Sequence, residues 1–144
     1  MPTAIIDVAY GYIQVGPVTA LVSSDRPAND PTEFASVHAG VLYIQAGTHT
    51  GQVELEVAVL EELADRRFGR AAWEEVTYPI SERQLEVSSF YGLTDDFTIE
   101  LPAWIAARIR VVSERYIEAS ESSVHGEPLD PLEHVLVEFA PARR

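Results

Sequence analysis

Several residue types that would give this chain an obvious chemistry are missing from it. There is no cysteine, so the 144-residue sequence contains no disulfide framework, no thiolate nucleophile and no cysteine-based metal site. Lysine is absent as well, and all ten basic residues are arginines. The opening stretch MPTAIIDVAYGYIQV lacks a basic region, and Asp7 and Gly11 interrupt its apolar run. We therefore expect neither a signal peptide nor a membrane span. The expected location of the protein is the cytoplasm.

Sequence motifs of catalysis and nucleotide binding are missing too. The sequence contains no G-x-S-x-G turn, no H-E-x-x-H pair and no glycine-rich phosphate loop. The four histidines, His38, His49, His125 and His134, lack the spacing of metal ligands. Glu54 and Glu56 would lie about 6.5–7 Å apart on one strand face, a separation that solvated strands produce as readily as glycosidases do. We therefore expect that the protein is not an enzyme and that it binds neither a cofactor nor a metal.

Acidic residues dominate what the chain does have. Asp and Glu number 23 against ten Arg, and the formal net charge is −13. A field of this sign repels nucleic acid and anionic lipid, and it attracts basic proteins. The length and the 47% hydrophobic content suit one globular domain over residues 1–144. The charge alone is equally compatible with an ordinary solvated surface.

Hydrophobic residues recur with a period of two, which predicts half-buried β-strands. The alternating segments cover residues 53–59, 85–87, 97–101, 105–111 and 135–139. Residues 5–15 and 41–46 are apolar at both parities, which is typical of strands near the middle of a sheet, and Gly11 would bend the first of them. Turn residues separate nearly all of these strands. The pattern predicts an all-β fold, an antiparallel two-sheet β-sandwich of jelly-roll type.

Two stretches break this pattern. Residues 60–68 read LEELADRRF, with Glu61 and Glu62 at the start and Arg66 near the end, and Gly69 follows. This charge order favours a short helical turn at 60–68. A long acidic connection over residues 113–130 precedes the last strand, and we expect a second helical turn at 113–122. Connections of this length are often functional.

The candidate partner-binding residues are carboxylates expected on the solvent side. Glu54 and Glu56, like Glu86 and Glu138, fall on the outward parity of their strands. The other candidates belong to the acidic connection or its end and are Glu114, Glu118, Glu121, Glu127, Asp130 and Glu133. A fixed array of carboxylates can imitate the charges of a nucleic-acid backbone and can speed association with a basic cleft.

Aromatic residues leave a second function class open. Trp73 and Trp104 are expected to anchor the core, because Trp at the start of a strand usually packs there. Alternatively, Trp104, Tyr91 and the loops at one end of the sandwich would line a pocket. The protein would then be a small-ligand or carbohydrate-binding module.

The order of the strand segments carries a family resemblance. The segments are VAYGYIQV, VHAGVLYIQAGTHTGQVELEVAVLEE, WEEVTYPISERQLEVSSF, FTIELPAWIAARIRV and LEHVLVEFAP. In this order they resemble the first strand, central hairpin, paired short strands, "LP" element and last strand of the ComJ-like (Nin-like) family. The chain departs from the family pattern at Ala103, before Trp104, where members usually have a Gly and then an aromatic residue. It departs again at His134, which stands where an aromatic residue is frequent.

This resemblance implies a function. The best-known members inhibit a competence-associated bacterial nuclease that acts on incoming DNA. By that resemblance the chain would be a bacterial inhibitor or immunity protein without catalytic activity, which occludes the basic cleft of a nuclease or nuclease toxin. The resemblance transfers no inhibitory residue, so the candidate contacts remain the carboxylates named above.

Overall fold

Two five-stranded β-sheets pack face to face in the computed structural model of the chain, which describes residues 2–23, 34–66, 68–69, 71–125 and 131–142. In spatial order, the first sheet contains β1 (Thr3–Val8), β5 (Gly51–Val59), β10 (Glu133–Pro141), β9 (Ala106–Ser113) and β6 (Ala72–Pro79). The second sheet contains β3 (Ala35–His38), β4 (Val41–Gln45), β2 (Tyr12–Gly16), β7 (Gln84–Ser89) and β8 (Gly92–Glu100). The expected all-β two-sheet sandwich is confirmed.

The core lies between the sheets and is built from alternate residues of each strand. In β5, Val53, Leu55 and Val57 are buried, whereas the intervening Glu54 and Glu56 remain partly exposed on the outer face. Burying one such aliphatic side chain contributes about 1.5–3 kcal/mol. A slip of one residue would move all three to the solvent side, so the hydrophobic pattern fixes which carboxylates face outward.

One strand pair departs from the antiparallel arrangement. β10 lies between β5 and β9, antiparallel to β9 but parallel to β5. The chain reaches β10 after the connection that contains the helix α2 (Tyr116–His125). The parallel register places His134 directly beside Glu54. The first residues of β5 and β10 therefore lie at the same end of the sandwich.

Four pairs of successive strands belong to different sheets: β1 and β2, β4 and β5, β6 and β7, and β8 and β9. The central hairpin and the paired short strands implied by the family resemblance are therefore wrong. Residues 5–15, expected as one bent strand, form β1 and β2, which are joined by a turn. In that turn Tyr10 has a φ of +59° and Gly11 a φ of +74°, and for a bulky residue such as Tyr10 this conformation is strained.

The helical turn expected at 60–68 is wrong. No helix occurs in the described residues of this connection, 60–66 and 68–69. Since β10 and β9 separate β5 from β6, the chain crosses the outer face of both. There the Ala64 carbonyl oxygen accepts a hydrogen bond of 2.8 Å from Arg110 Nη1. These tertiary contacts override a weak local helix preference.

The helical turn expected at 113–122 is present as α2, although the helix begins at Tyr116 and extends to His125. The Tyr116 ring packs edge-on against Phe34, with the ring centroids 5.5 Å apart. A further helix, α1 (Val18–Ser23), was not expected from the sequence. Its Leu21 packs against Val41 and Tyr43 on the second sheet. Among the helices of the described residues, none is long and apolar enough to cross a membrane.

Candidate protein-binding surface

Three carboxylates form a row on the outer face of the first sheet, along β1 and β5. The register places Asp7 opposite Gln52, and it places Ile5 opposite Glu54. Glu56 follows two residues further along β5, and rows two residues apart are about 6.5–7 Å apart. We call Asp7, Glu54 and Glu56 the acidic stripe.

In the described part of the chain, the acidic stripe has no arginine as an ion-pair partner. His134 Nε2 lies 3.0 Å from Glu56 Oε1 and 3.7 Å from Glu54 Oε1. One imidazole carries at most one charge beside two carboxylates. At the other end, Asp7 Oδ1 accepts a hydrogen bond of 3.2 Å from Gln52 Nε2. Within the described residues, no arginine forms an ion pair with any of the three carboxylates.

The other half of the same face is neutralised. Glu138 accepts a charged hydrogen bond of 3.0 Å from Arg110 Nε, and Arg66 Nη2 lies 3.3 Å from the same oxygen. On the neighbouring strands, Arg108 Nη2 pairs with Glu75 Oε2 at 2.7 Å. Glu138 was expected on the solvent side, but it is buried, because Arg66 and Ala64 of the connection between β5 and β6 contact the Glu138–Arg110 pair. Its carboxylate stabilises the fold and is not available to a partner.

An exposed aromatic cluster lies at the end of the sandwich where β5 begins. Tyr10 is in the turn between β1 and β2, His49 in the loop before β5, and Phe90 and Tyr91 in the turn before β8. Their rings meet edge to face, with centroids 5.3 Å apart for Tyr10 and His49, 5.5 Å for Tyr10 and Phe90, and 5.6 Å for Phe90 and Tyr91. We call these four residues the aromatic end. Exposed, ordered aromatic side chains of this kind are typical of protein interfaces.

Helix α2 brings further carboxylates to the same end of the molecule. Its first turn lies against the loop before β5, since a Cβ at Gly47 would overlap the carbonyl of Tyr116. Glu114, just before α2, and Glu118 and Glu121 within it are exposed, as expected from the sequence. Glu127 and Asp130, the other two candidates in this connection, lie outside the described residues.

Glu133 is not on the surface, which corrects its expected exposure. The side chain is fully buried where β10 begins. Its carboxylate accepts hydrogen bonds from the backbone N–H of Gly47 (3.0 Å) and of Thr48 (2.8 Å), and from the hydroxyls of Thr48 (2.8 Å) and Ser113 (2.7 Å). These bonds tie the loop before β5 to the adjoining ends of β9 and β10. Glu133 thus supports the aromatic end from inside.

The two tryptophans differ in their surroundings. Trp73 lies on the outer face of β6, 48% exposed and packed against Phe68 at 5.1 Å between ring centroids, so its expected place in the core is wrong. Trp104 packs against the core, as expected. Tyr91 precedes β8 and Trp104 follows it, and nine strand residues span about 30 Å. The pocket that Tyr91 lines does not include Trp104.

A groove that was not predicted from the sequence lies beside the aromatic end. Its volume is about 360 Å³, and its lining residues are Asp7, Val8, Thr50, Gly51, Gln52 and Tyr91. Asp7, at one end of the acidic stripe, and Tyr91, in the aromatic end, both line the groove. The residues come from three separate segments, so only the pairing of β1 with β5 and the position of the turn before β8 bring them together.

The described histidines contact polar or aromatic neighbours. His49 Nδ1 lies 2.8 Å from the Thr50 hydroxyl, and His134 contacts the acidic stripe. His38 is exposed at the end of β3, and the side chain of His125 lies outside the described part of α2. Across the described residues, no three His, Asp or Glu side chains are grouped so that they could hold a metal ion.

The class that the fold defines is the two-sheet β-sandwich, and no family model matches the sequence. Within this class, the chain shares its fold with ComJ from Bacillus subtilis, an inhibitor of the DNA-degrading activity of NucA. The superposition covers 99% of this chain and 96% of ComJ with a TM-score of 0.62, at 11% sequence identity. The family resemblance noted in the sequence is thus confirmed at the level of the fold.

Two further proteins are similar to the chain. A structure described as crocagin biosynthetic gene J superposes with a TM-score of 0.52 over 99% of this chain and all of that one, at 13% identity. In sequence, glycerol-1-phosphate dehydrogenase [NAD(P)+] from Archaeoglobus fulgidus is 28% identical over 120 residues, which are 83% of this chain. The chain spans about a third (34%) of the length of that enzyme.

Proposed function

We propose that this protein is a non-catalytic inhibitor that binds a nuclease or nuclease toxin and covers its basic cleft. The shared fold with ComJ, a nuclease inhibitor, supports the class of function. The formal charge of −13 supports a basic partner, because opposite fields accelerate association. The dehydrogenase match gives no comparable support, since it covers 34% of that enzyme.

The observation that carries the proposal is the acidic stripe beside the aromatic end. Glu54 and Glu56 lie on β5, an interior strand of the first sheet, and among the described residues arginines pair with carboxylates on the other half of the face and not with these two. Regularly spaced carboxylates of this kind would occupy positions that phosphates take in the nuclease cleft. The exposed rings of Tyr10, Phe90 and Tyr91 would supply the apolar centre that tight interfaces need.

The test is an inhibition and binding assay against nucleases encoded in the same genome, with those of neighbouring genes first. We expect inhibition of DNA or RNA cleavage and an association rate that falls steeply as salt rises. The double variant Glu54→Gln/Glu56→Gln should associate about tenfold more slowly at low salt, with a smaller change in dissociation rate.

The matched control is Glu100→Gln, an exposed carboxylate at the far end of β8. It should bind like the parent protein. If no such nuclease is bound at low salt, the proposal is wrong. The loss of association rate per removed charge is compared between the two variants. If it is as large for Glu100→Gln as for Glu54→Gln/Glu56→Gln, the net charge of the protein and not the acidic stripe directs binding.

A further inference from the structure

We propose that the groove between Asp7 and Tyr91 is a guanidinium site, which receives an arginine side chain projecting from the protein partner. The identity of that partner as a nuclease rests on the proposed function above. The chemistry of the site does not, because it follows from the residues that line the groove.

The carboxylate of Asp7 supplies the charge. Its Oδ1 accepts a hydrogen bond from Gln52 Nε2, which orients the carboxylate and leaves its second oxygen and further lone pairs for a donor. In the part of the chain that is described, Asp7 forms no ion pair with an arginine or a histidine. A guanidinium can donate two parallel hydrogen bonds to such a carboxylate. The Gln52 amide also carries a carbonyl oxygen that can accept a third.

The ring of Tyr91 supplies the second contact. It is 63% exposed, yet it is held in place by the perpendicular ring of Phe90, which in turn packs against Tyr10. The Tyr91 backbone N–H also donates to the Ser89 hydroxyl at 3.3 Å, which fixes the turn. A planar guanidinium stacks on an aromatic ring more favourably than an ammonium group does.

The size and position of the groove fit one long side chain. About 360 Å³ is near the lower limit of small-molecule pockets, so the space suits a single side chain better than a large ligand. Glu54 lies two residues beyond the groove residue Gln52 on the same face of β5, and the field of the whole chain attracts cations. An arginine on a basic partner would thus enter beside the carboxylates that attract that partner.

The experiment is an NMR titration of the full chain with three uncharged-terminus probes: the Nα-acetyl amides of arginine, lysine and citrulline. We expect saturable shifts of the Gly51 and Gln52 amides and of the Tyr91 ring with the arginine probe, weaker ones with lysine and none with citrulline. Asp7→Asn should lower the arginine affinity about tenfold or more, because a charged hydrogen bond is lost. Tyr91→Ala should lower it about two- to fivefold, and Tyr91→Phe should retain it.

Glu100→Gln is the charge-matched control and should bind the arginine probe as the parent does. The inference is overturned if citrulline shifts the same amides equally, if Asp7→Asn binds arginine unchanged, or if the groove responds to a neutral monosaccharide panel and not to arginine. Nuclease inhibition is read separately. Arginine binding without any inhibited nuclease would contradict the proposed function alone, whereas inhibition that Asp7→Asn leaves intact would contradict only the arginine site.

Discussion

The two halves of the outer face of the first sheet both carry carboxylates, but the surroundings of these carboxylates differ. On β9, β10 and β6, Glu138 is buried against Arg110, and Glu75 pairs with Arg108. On β1 and β5, the acidic stripe has no arginine among the described residues, and Glu54 is 47% exposed. Strand parity points all of these carboxylates outward. What distinguishes them is that arginines of β9 pair with one half, where the connection between β5 and β6 also covers Glu138, whereas among the described residues no arginine pairs with the other, open half.

This comparison separates carboxylates that hold the fold from carboxylates that are free to bind. On the covered half, Phe68 packs against Trp73, and the guanidinium groups of Arg66 and Arg110 lie 5.2 and 5.1 Å from the Phe68 ring centroid. The buried charges of Arg110 and Glu138 are tolerated there because they pair with each other. On the open half, water solvates the charged carboxylates, so a binding partner can replace that water.

The largest expected effect is at the buried ion pair. Arg110→Met should lower the free energy of unfolding by about 3–5 kcal/mol, because Glu138 would remain buried without its main partner. Urea unfolding followed by circular dichroism measures the change. Arg108→Met, which removes the half-exposed partner of Glu75, should cost about 1 kcal/mol or less.

The double variant Arg110→Met/Glu138→Met sharpens the same point. Removing both charges eliminates the uncompensated carboxylate, so most of the lost stability should return. If the double variant is as unstable as the single one, packing under the 60–71 connection and not charge burial holds this half together.

The next effect concerns Glu133, which sequence parity could not distinguish from a surface carboxylate. Glu133→Gln should lower the free energy of unfolding by about 2–3 kcal/mol, because an amide nitrogen would face donors that now bond to carboxylate oxygens. Chemical denaturation gives the magnitude. Glu114→Gln, an exposed carboxylate just beyond β9, is the control and should change stability by less than about 0.5 kcal/mol. An equally small effect at Glu133 would mean that its four hydrogen bonds are dispensable.

A third effect appears only at high pH, in β6. Tyr78 of β6 is buried and donates a hydrogen bond of 2.8 Å to the Gly40 carbonyl. Burial, with a contribution from Glu82, raises the pKa of its phenol from 10.0 to about 12. Between these values the unfolded chain loses the proton and the folded chain keeps it. Stability is therefore present below pH 10 and declines above it, by up to about 2–3 kcal/mol near pH 12.

Tyr78→Phe isolates this contribution. The variant should be about 1 kcal/mol less stable at neutral pH, because it loses the hydrogen bond to Gly40. The difference from the parent should shrink or reverse as the pH rises from 9 to 11, measured by urea unfolding at each pH. A difference that is constant over this range would show that the phenol does not titrate differently in the two states.

The local hydrophobic pattern predicted where the strands lie, but it did not predict which strands pair with each other. The alternation of Val53, Leu55 and Val57 marks β5 without ambiguity, because a strand with one buried face must repeat every second residue. The same pattern does not say which strand pairs with which, so successive strands such as β6 and β7 were wrongly joined. The 60–68 segment has the charge order of a helix. However, its Ala64 carbonyl accepts a hydrogen bond from Arg110 of β9, and the local sequence does not reveal this contact.

The position of a candidate site residue was predictable from the sequence only where it depends on the alternation of inward and outward residues along one strand. Glu54 and Glu56 follow from the outward positions of one strand. Glu133 also carries an acidic side chain next to a strand, but its burial depends on the donors of Gly47 and Thr48, which are 86 and 85 residues away. The groove at Tyr91 required three segments to converge, and a single sequence contains no signal for such convergence.

The smallest expected effect on stability is at the acidic stripe, and it decides the comparison. Glu54→Gln/Glu56→Gln should change the free energy of unfolding by less than about 0.5 kcal/mol, because no arginine pairs with either side chain in the described structure. At low ionic strength the variant should be slightly more stable than the parent, since two like charges leave a chain of formal charge −13. Unfolding in urea at low and high salt measures both. Carboxylates kept without benefit to the fold are free to serve binding, whereas a loss of 2 kcal/mol or more would assign the stripe to stability, as on the covered half.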